Sequence, residues 1–154
     1  GSGTLLLVDD EPSILQSFKA LLEAYGFSTL TAASGEQALR IYDARPLEID
    51  LVILDMIMPD LGGGEVYDHI RDIQPDVKAI LATGYSIDGE AARILKRGCD
   101  GVIQKPFSID RLSRIIHSVL KSDPDATQTG PAALEQAPRP SEVIPFRPKD
   151  QKIN

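Results

Sequence analysis

The sequence predicts an α/β fold in which five parallel strands form a doubly wound sheet with helices on both faces. Five short apolar runs alternate with five segments of helical periodicity within about 118 residues. Most of the runs are uniformly apolar, which is typical of parallel strands buried on both faces. Glycine, proline and serine stand at most junctions, where they begin or end helices. This alternation favours a parallel sheet with right-handed crossovers.

The first two strand–helix units precede residue 47. The first strand is predicted at Thr4–Val8, directly before two aspartates. The helix that follows begins at Pro12, a residue suited to the first helical turn, and stops at Gly26. The second strand is predicted at 27–31, and Ser34 is placed to cap the second helix.

The third and fourth strands are the centre of the predicted sheet. Four branched apolar residues, 51–54, lead directly into Asp55, so this carboxylate should stand at the end of a buried strand. A loop at 60–64 contains three glycines, which give it room beside Asp55. The fourth strand is predicted at 77–82 and ends on Thr83.

The last two units complete the sheet. Ser86 is placed to cap the fourth helix, which stops at Gly98, and the fifth strand is predicted at 101–104. Pro106 should form a rigid turn, with a trans or a cis peptide bond, that aims Lys105 inward. Because the second and fifth strands are short, they suit the edges. The predicted strand order is therefore the flavodoxin-like 2-1-3-4-5, with five helices.

Composition limits the classes of function. The 154 residues carry a formal net charge of −7, which argues against nucleic acid as a direct partner because phosphate backbones require clustered Lys and Arg. No apolar run approaches the roughly 20 residues of a membrane helix, so we expect no membrane contact. The single cysteine fits a reducing compartment, and no signal peptide opens the chain. The domain is expected to be cytoplasmic.

The chain divides into three parts by composition. Residues 1–3 resemble a cloning remnant, and residues 4–121 form the predicted domain. Residues 122–154 hold six of the eleven prolines and little apolar periodicity, which predicts a disordered or extended tail. A docking peptide around Val143–Phe146 is the functional alternative for the tail.

Polar residues stand where four of the predicted strands end. They are Asp9 and Asp10 after strand one, Asp55 after strand three, Thr83 after strand four and Lys105 after strand five. Because parallel strands place their carboxyl ends at one edge, these side chains should converge. Two unit charges about 4 Å apart repel by roughly 4 kcal/mol at an effective dielectric near 20. Three carboxylates with one lysine therefore predict a bound divalent cation, and such oxygen ligands suit Mg²⁺.

We expect Asp10 and Asp55 to ligate Mg²⁺ directly and Asp9 to act mainly through water. The backbone carbonyl of Ile57 should complete the set of protein ligands. Two structural alternatives also fit these residues. Without a metal the acids could share protons, and Asp55 alone could be a strand-end residue that turns the chain.

With Mg²⁺ bound, Asp55 is a candidate acceptor of a phosphoryl group, because carboxylates can form aspartyl phosphates. Phosphoryl transfer depends on positioning and charge neutralisation. Lys105 can pair with one phosphoryl oxygen and Thr83 can donate a hydrogen bond to another. The structural alternative for Lys105 is a solvated charge, and that for Thr83 is a strand-end hydroxyl.

These motifs resemble the receiver domain of two-component response regulators, of the chemotaxis-regulator type. The resemblance covers residues 4–121, and the motifs occur in the expected order: Val8–Pro12, Leu54–Pro59 with Gly63, Thr83–Gly84 and Lys105–Phe107. The segments 82–86 and 98–107 are most similar to receivers attached to hybrid sensor histidine kinases. A stand-alone single-domain response regulator is the alternative.

The resemblance implies a role for each site residue. Asp55 corresponds to the phosphoacceptor, Asp9 and Asp10 to the metal-binding acidic pair, and Thr83 and Lys105 to the phosphoryl-sensing switch. The implied donor is the phosphohistidine of a sensor histidine kinase or a histidine phosphotransfer protein. The domain would act as a conformational switch or relay, as a monomer or weak dimer. It would not be an enzyme beyond phosphotransfer and slow autodephosphorylation.

Three positions could modify this behaviour. The family often has Tyr or Phe three residues before its lysine, and here that residue is Val102, so the aromatic part of the switch is missing. Tyr85 could take a gating role, although a partly exposed loop aromatic is the structural alternative. Ile57 and Tyr85 flank the path of an attacking water, and two bulky groups there could slow hydrolysis of the phosphoryl group.

Two functions of other classes fit the sequence less well. A phosphatase with an aspartyl nucleophile would need a second acid two residues after Asp55, where Ile57 stands instead. A flavin-binding module shares the strand order, but no Ser/Thr/Gly-rich phosphate loop follows strand one.

Overall fold

The structure, a computed structural model, describes residues 3–84 and 89–121. The described residues form one five-stranded parallel sheet in the order β2-β1-β3-β4-β5, which confirms the predicted fold class and strand order. The strands are β1 (Thr4–Val8), β2 (Ser28–Ala32), β3 (Leu51–Asp55), β4 (Ala79–Thr83) and β5 (Gly101–Gln104). The helices are α1 (Pro12–Ala24), α2 (Gly35–Ala44), α3 (Gly63–Ile73), α4 (Glu90–Lys96) and α5 (Ile109–Lys121).

The sheet separates two apolar cores. On one face α1 and α5 pack against the sheet, with Leu22 and Ile116 fully buried there. On the other face α2, α3 and α4 cover the sheet, and the large side chains of Tyr42 and Tyr67 are buried among them. Successive strand residues point to opposite faces, so strands covered on both faces must be apolar throughout. This explains why β1, β3 and β4 are the most apolar segments of the chain.

The strand register brings the functional ends of the strands together. Val8, the last residue of β1, is opposite Leu54, so Asp9 follows β1 beside the position where Asp55 ends β3. Asp55 is opposite Ala82, one residue before Thr83, and Thr83 is opposite Gln104. Adjacent strands among β1, β3, β4 and β5 therefore end within one residue of each other.

Several predicted boundaries differ from those observed. β2 begins one residue later than predicted, because the amide of Ser28 is the first to join the ladder, at 2.9 Å from the carbonyl oxygen of Gly3. β4 covers 79–83 rather than 77–82, since the amide of Val77 bonds back to Gln74 in a turn. The predicted cap Ser86 lies outside the described residues, and α4 begins after Gly89.

The sequence predicted that all three glycines at 62–64 lie in a loop, and this prediction is wrong for two of them. Gly63 and Gly64 form the first turn of α3. A Cβ atom on Gly63 would lie 2.5 Å from the carbonyl oxygen of Asp55, and one on Gly64 would lie 2.7 Å from Cδ1 of Ile94. Gly63 therefore allows α3 to start directly against the end of β3, and Gly64 allows Ile94 of α4 to pack close to α3.

Candidate functional site

The site lies at the carboxyl edge of the sheet, where β1, β3 and β5 end. Asp55 ends β3 and is 7% exposed, and Asp9 follows β1 and is 3% exposed. Lys105 follows β5 and points between the two carboxylates. Its Nζ lies 2.8 Å from Oδ2 of Asp9 and 3.4 Å from Oδ1 of Asp55. Residues separated by up to 96 positions in sequence thus form one hydrogen-bonded charge cluster.

Asp10 completes an acidic cluster with these two carboxylates. One oxygen from each of Asp9, Asp10 and Asp55 lies within 4.8 Å of the others, and Asp10 is exposed while its two neighbours are buried. Three hard oxygen donors with a single ammonium group nearby fit the ligand preference of Mg²⁺, which retains waters and takes one or two carboxylates. The residues present therefore suit the predicted cation.

Asp9 has less freedom to bind a cation than the other two acids. Its Oδ2 accepts the hydrogen bond from Lys105, and its Oδ1 accepts a hydrogen bond of 2.9 Å from the backbone amide of Glu11. Both oxygens are thus already engaged by donors of this chain. This arrangement supports an indirect role for Asp9 in cation binding.

The environment of Asp55 makes its carboxyl group a weaker acid than an ordinary aspartate when no cation is bound. Burial raises the pKa of Asp55 to about 6; the charge of Lys105 opposes this shift and that of Asp9 adds to it. Burial acts to lower the pKa of Lys105, but the hydrogen bond to Asp9 and the charge of Asp55 outweigh it and raise that pKa overall. Lys105 therefore stays positively charged, and it lies among carboxylates that repel each other.

Thr83 ends β4 and is 3% exposed. Its carbonyl oxygen accepts a hydrogen bond of 2.7 Å from the backbone amide of Lys105, so the two predicted switch residues are joined through the main chain. The Lys105–Pro106 peptide bond is cis, the second of the two alternatives expected for this turn.

The three predicted modulators have different environments. The side chain of Ile57 is 58% exposed at the rim of the site, and the backbone amide of Ile57 bonds to the Asp55 carboxylate. Val102 is fully buried in β5, in the core beneath α4. Tyr85 lies outside the described residues.

The contacts that fix the loop after β3 were not predicted from the sequence. The carboxylate of Asp60 accepts hydrogen bonds from the backbone amides of Gly35 (3.1 Å) and Glu36 (2.9 Å), at the first turn of α2. These bonds lower the pKa of Asp60. Glu65 accepts a hydrogen bond of 3.2 Å from the amide of Gly62. A glutamate three residues after the residue that precedes a helix, as at Glu65, is a capping signal that the sequence shows. The contact of Asp60 joins residues 25 positions apart, and no local sequence pattern indicates it.

A doubly wound α/β domain with carboxylates at the carboxyl edge of its sheet belongs to the class that binds ligands at that edge. Residues 5–117 match the family model of the response regulator receiver domain. The chain therefore belongs to this family of two-component signalling domains, as its motifs suggested.

Curated relatives include both large and small proteins. The sensor kinase CckA of Brucella abortus (strain 2308) is 33% identical over 121 residues, which cover 79% of this chain and 13% of CckA. The polar-differentiation response regulator DivK of Brucella ovis is 31% identical over 119 residues, which cover 76% of this chain and 95% of DivK. The chain thus spans a small part of CckA and nearly all of DivK.

Solved structures share the fold. A response regulator receiver domain protein from Clostridium thermocellum has a TM-score of 0.74 and 36% identity, covering 77% of this chain and 94% of that one. The response regulator TrrA from Thermotoga maritima, solved in complex with Mg(2+)-BeF, has a TM-score of 0.67 and 34% identity, covering 76% of this chain and 98% of that one. Among residues 3–84 and 89–121, no helix is long and apolar enough to span a membrane.

Proposed function

We propose that this domain is a phosphorylation-controlled switch or relay in which Asp55 accepts a phosphoryl group from a phosphohistidine. The supporting observation is the position of Asp55, whose carboxylate is 3.4 Å from Nζ of Lys105 and shares one cluster with Asp9 and Asp10. A nucleophilic carboxylate beside both a fixed cation and a cluster that suits Mg²⁺ has the groups that phosphoryl transfer requires.

The transfer is a displacement at phosphorus. A carboxylate oxygen of Asp55 attacks the phosphorus atom, and the bond from phosphorus to the imidazole nitrogen of the donor breaks. The nitrogen keeps the electron pair and takes a proton from solvent. Lys105 neutralises charge on the phosphoryl oxygens, and Thr83 donates a hydrogen bond to one of them. Mg²⁺, held by Asp10, Asp55 and the carbonyl oxygen of Ile57, with Asp9 acting through water, would supply further charge neutralisation.

The phosphoryl group would change the domain through the strand ends. A new dianion on Asp55 attracts Lys105 and Thr83, which are already joined by a main-chain hydrogen bond of 2.7 Å. Their movement would shift the face formed by α4, β5 and α5. An aromatic side chain would not take part in this shift, because Val102 occupies the position where the family often has Tyr or Phe. A change from mostly inactive to mostly active requires about 5.5 kcal/mol of differential stabilisation.

The donor would be a sensor histidine kinase or a histidine phosphotransfer protein. We favour a receiver from a hybrid histidine kinase, supported by the similarity to CckA. The stand-alone response regulator is the second candidate, and similarity over 95% of DivK favours it. In either case we expect a cytoplasmic domain, monomeric or weakly dimeric, with slow autodephosphorylation as its only activity besides transfer.

The test is phosphorylation of the full chain by acetyl phosphate with Mg²⁺. We expect a mass increase of one phosphoryl group in the wild-type protein and none in Asp55→Asn. Asp43→Asn is the control, because this exposed acid on α2 lies outside the cluster, and the variant should still be phosphorylated. Phosphorylation of Asp55→Asn at the wild-type level would overturn the proposal. A phosphoryl half-life of only seconds would argue against the role of Ile57 and Tyr85 in slowing hydrolysis.

A further inference from the structure

A pocket of about 450 Å³ opens between α1 and the turn after β5, within the range typical of ligand pockets. The residues that line it are Glu11, Ile14, Phe18, Lys105, Pro106 and Phe107. The rings of Phe18 and Phe107 meet with centroids 5.1 Å apart and a tilt of 54°. The pocket is thus an aromatic-walled groove with one acid and one lysine at its polar side.

Apolar surface continues from this pocket along α1. Ile14 and Phe18 are half-buried, and Leu21 and Tyr25 are 41% and 36% exposed. Their spacing places all four on one side of the helix. Contiguous exposed apolar surface of this kind typically marks a contact site. An extended apolar segment could therefore cover both the pocket and the stripe.

We propose that the segment Val143–Phe146 of the same chain binds in this pocket. Residues 122–154 follow α5 and lie outside the described residues. Within this part of the sequence, Val-Ile-Pro-Phe is the one place where three branched or aromatic side chains occur within four residues. Leu134 and Ile153 are the other large apolar residues there, and each stands without a second one nearby.

The chemistry of the segment matches that of the pocket. Extended proline-rich segments bind aromatic-lined grooves, and proline lowers the conformational entropy that binding must offset. Pro145 lies within the segment and Pro148 follows it. Arg147 comes directly after Phe146, which provides a positive charge for the exposed carboxylate of Glu11.

The segment can reach the pocket on its own chain. The carboxyl end of α5 lies near the start of β4, because Nζ of Lys78 donates hydrogen bonds to the carbonyl oxygens of Val119 and Leu120. From there to the pocket is about the length of α5, whose 13 residues span roughly 20 Å. The 21 residues between Lys121 and Val143 can cover up to roughly 70 Å when extended.

Binding at this pocket would place the segment beside Lys105 and Pro106. This regulatory consequence rests on the proposed function. The bound segment would hinder a protein that carries a phosphohistidine more than a small donor such as acetyl phosphate. The tail would then act as an intramolecular competitor of the donor protein.

The test is paramagnetic relaxation measured on the full chain, without metal or phosphodonor. A nitroxide is attached at Ser141→Cys; Cys99 should not react, because it is buried and burial raises its pKa to about 12. We expect the resonances of Ile14, Phe18 and Phe107 to lose at least half of their intensity, while those at the C-terminal end of α3, on the other face of the sheet, keep theirs. Wild-type protein treated with the same label serves as the control for Cys99.

A second variant makes the test specific. Phe146→Ala in the labelled chain should restore at least twofold intensity at Ile14 and Phe107, whereas the matched change Leu134→Ala should restore none. Broadening that is absent, uniform or unaffected by Phe146→Ala would overturn the proposal. Broadening that appears only when labelled and unlabelled chains are mixed would also overturn it, because the occupant would be a second copy. None of these outcomes depends on phosphorylation of Asp55, so the two proposals fail separately.

Discussion

Nζ of Lys105 lies 2.8 Å from Asp9 and 3.4 Å from Asp55, so a single ammonium group serves two buried carboxylates. One positive charge cannot fully compensate two negative charges and the nearby Asp10. Each carboxylate therefore remains partly uncompensated, and the site carries a cost in folding free energy that a bound cation would reduce.

The first prediction concerns pH and Asp55 in metal-free protein. The folded-state pKa of about 6 exceeds the ordinary value of 3.8, so between these values the folded state holds more protons than the unfolded state. The free energy of unfolding should therefore fall as pH rises from about 4 to about 6, by on the order of 1–3 kcal/mol. Asp55→Asn should remove the part of this decline that Asp55 causes and stabilise the protein at pH 7. The part that remains comes from Asp100, whose pKa burial also raises to about 6.

Urea denaturation in EDTA across this pH range measures the effect. The matched control is Asp43→Asn, which changes an exposed acid on α2 and should leave the slope unaltered. If Asp55→Asn were less stable than the wild-type protein at pH 7, the attraction to Lys105 would outweigh the cost of burying the Asp55 carboxylate, and the prediction would be wrong.

The second prediction concerns Lys105. Lys105→Met should lower the free energy of unfolding in EDTA by about 1–3 kcal/mol, because it leaves two buried carboxylates without their cation. Added Mg²⁺ should then stabilise the variant more than the wild-type protein, since the cation replaces the lost charge. Thermal unfolding with and without Mg²⁺ measures both effects.

Arg40→Met is the control for this variant, because Arg40 forms an exposed pair with Glu36 at 3.3 Å. Its effect should stay within about 0.5 kcal/mol, with no change in the response to Mg²⁺. An equal Mg²⁺ response in Lys105→Met and wild-type protein would show that Lys105 does not offset the charge of the carboxylates.

The sequence could predict the strand ends because their signals are local. A run of apolar residues that stops at a charged residue identifies both a buried strand and its end, as at Asp55, and parallel order then brings the ends together. The geometry between them depends on distant contacts that leave no local pattern. The approach of α3 to the carbonyl oxygen of Asp55 and the bonds of Asp60 to α2 are of this kind.

The same limit explains the error at 62–64. Glycine is typical of loops, and a local pattern does not distinguish a loop from a helix start that passes close to another backbone. Gly63 is needed because a Cβ atom there would meet the main chain of Asp55, which is a tertiary constraint.

The third prediction tests that constraint. Gly63→Ala would place Cβ 2.5 Å from the carbonyl oxygen of Asp55 and 3.1 Å from Cα of Met56, so the backbone must move. We expect the free energy of unfolding to fall by about 1–3 kcal/mol, together with weaker Mg²⁺ binding as Asp55 shifts. Urea denaturation and Mg²⁺ titration measure the two effects. Gly101→Ala, where no atom lies within 4 Å of the new Cβ, should change neither.

The fourth prediction separates the roles of the two adjacent acids. Asp10 is exposed, so Asp10→Ala should leave the stability in EDTA within about 0.5 kcal/mol of the wild-type value. The same change should weaken Mg²⁺ binding at least tenfold, because it removes a proposed direct ligand. Asp9 is buried and accepts hydrogen bonds from Lys105 and Glu11. Asp9→Ala should therefore cost about 1–3 kcal/mol of stability and weaken Mg²⁺ binding less.

Denaturation in EDTA and calorimetric Mg²⁺ titration of both variants distinguish these roles. The comparison is internally controlled, because the two substitutions remove the same charge from neighbouring positions and differ in burial and hydrogen bonding. Wild-type Mg²⁺ affinity in Asp10→Ala would place the cation away from the acidic cluster. An unchanged stability in Asp9→Ala would mean that the contact between Asp9 and Lys105 does not stabilise the folded protein. The proposed sharing of the Lys105 charge between Asp9 and Asp55 would then be wrong.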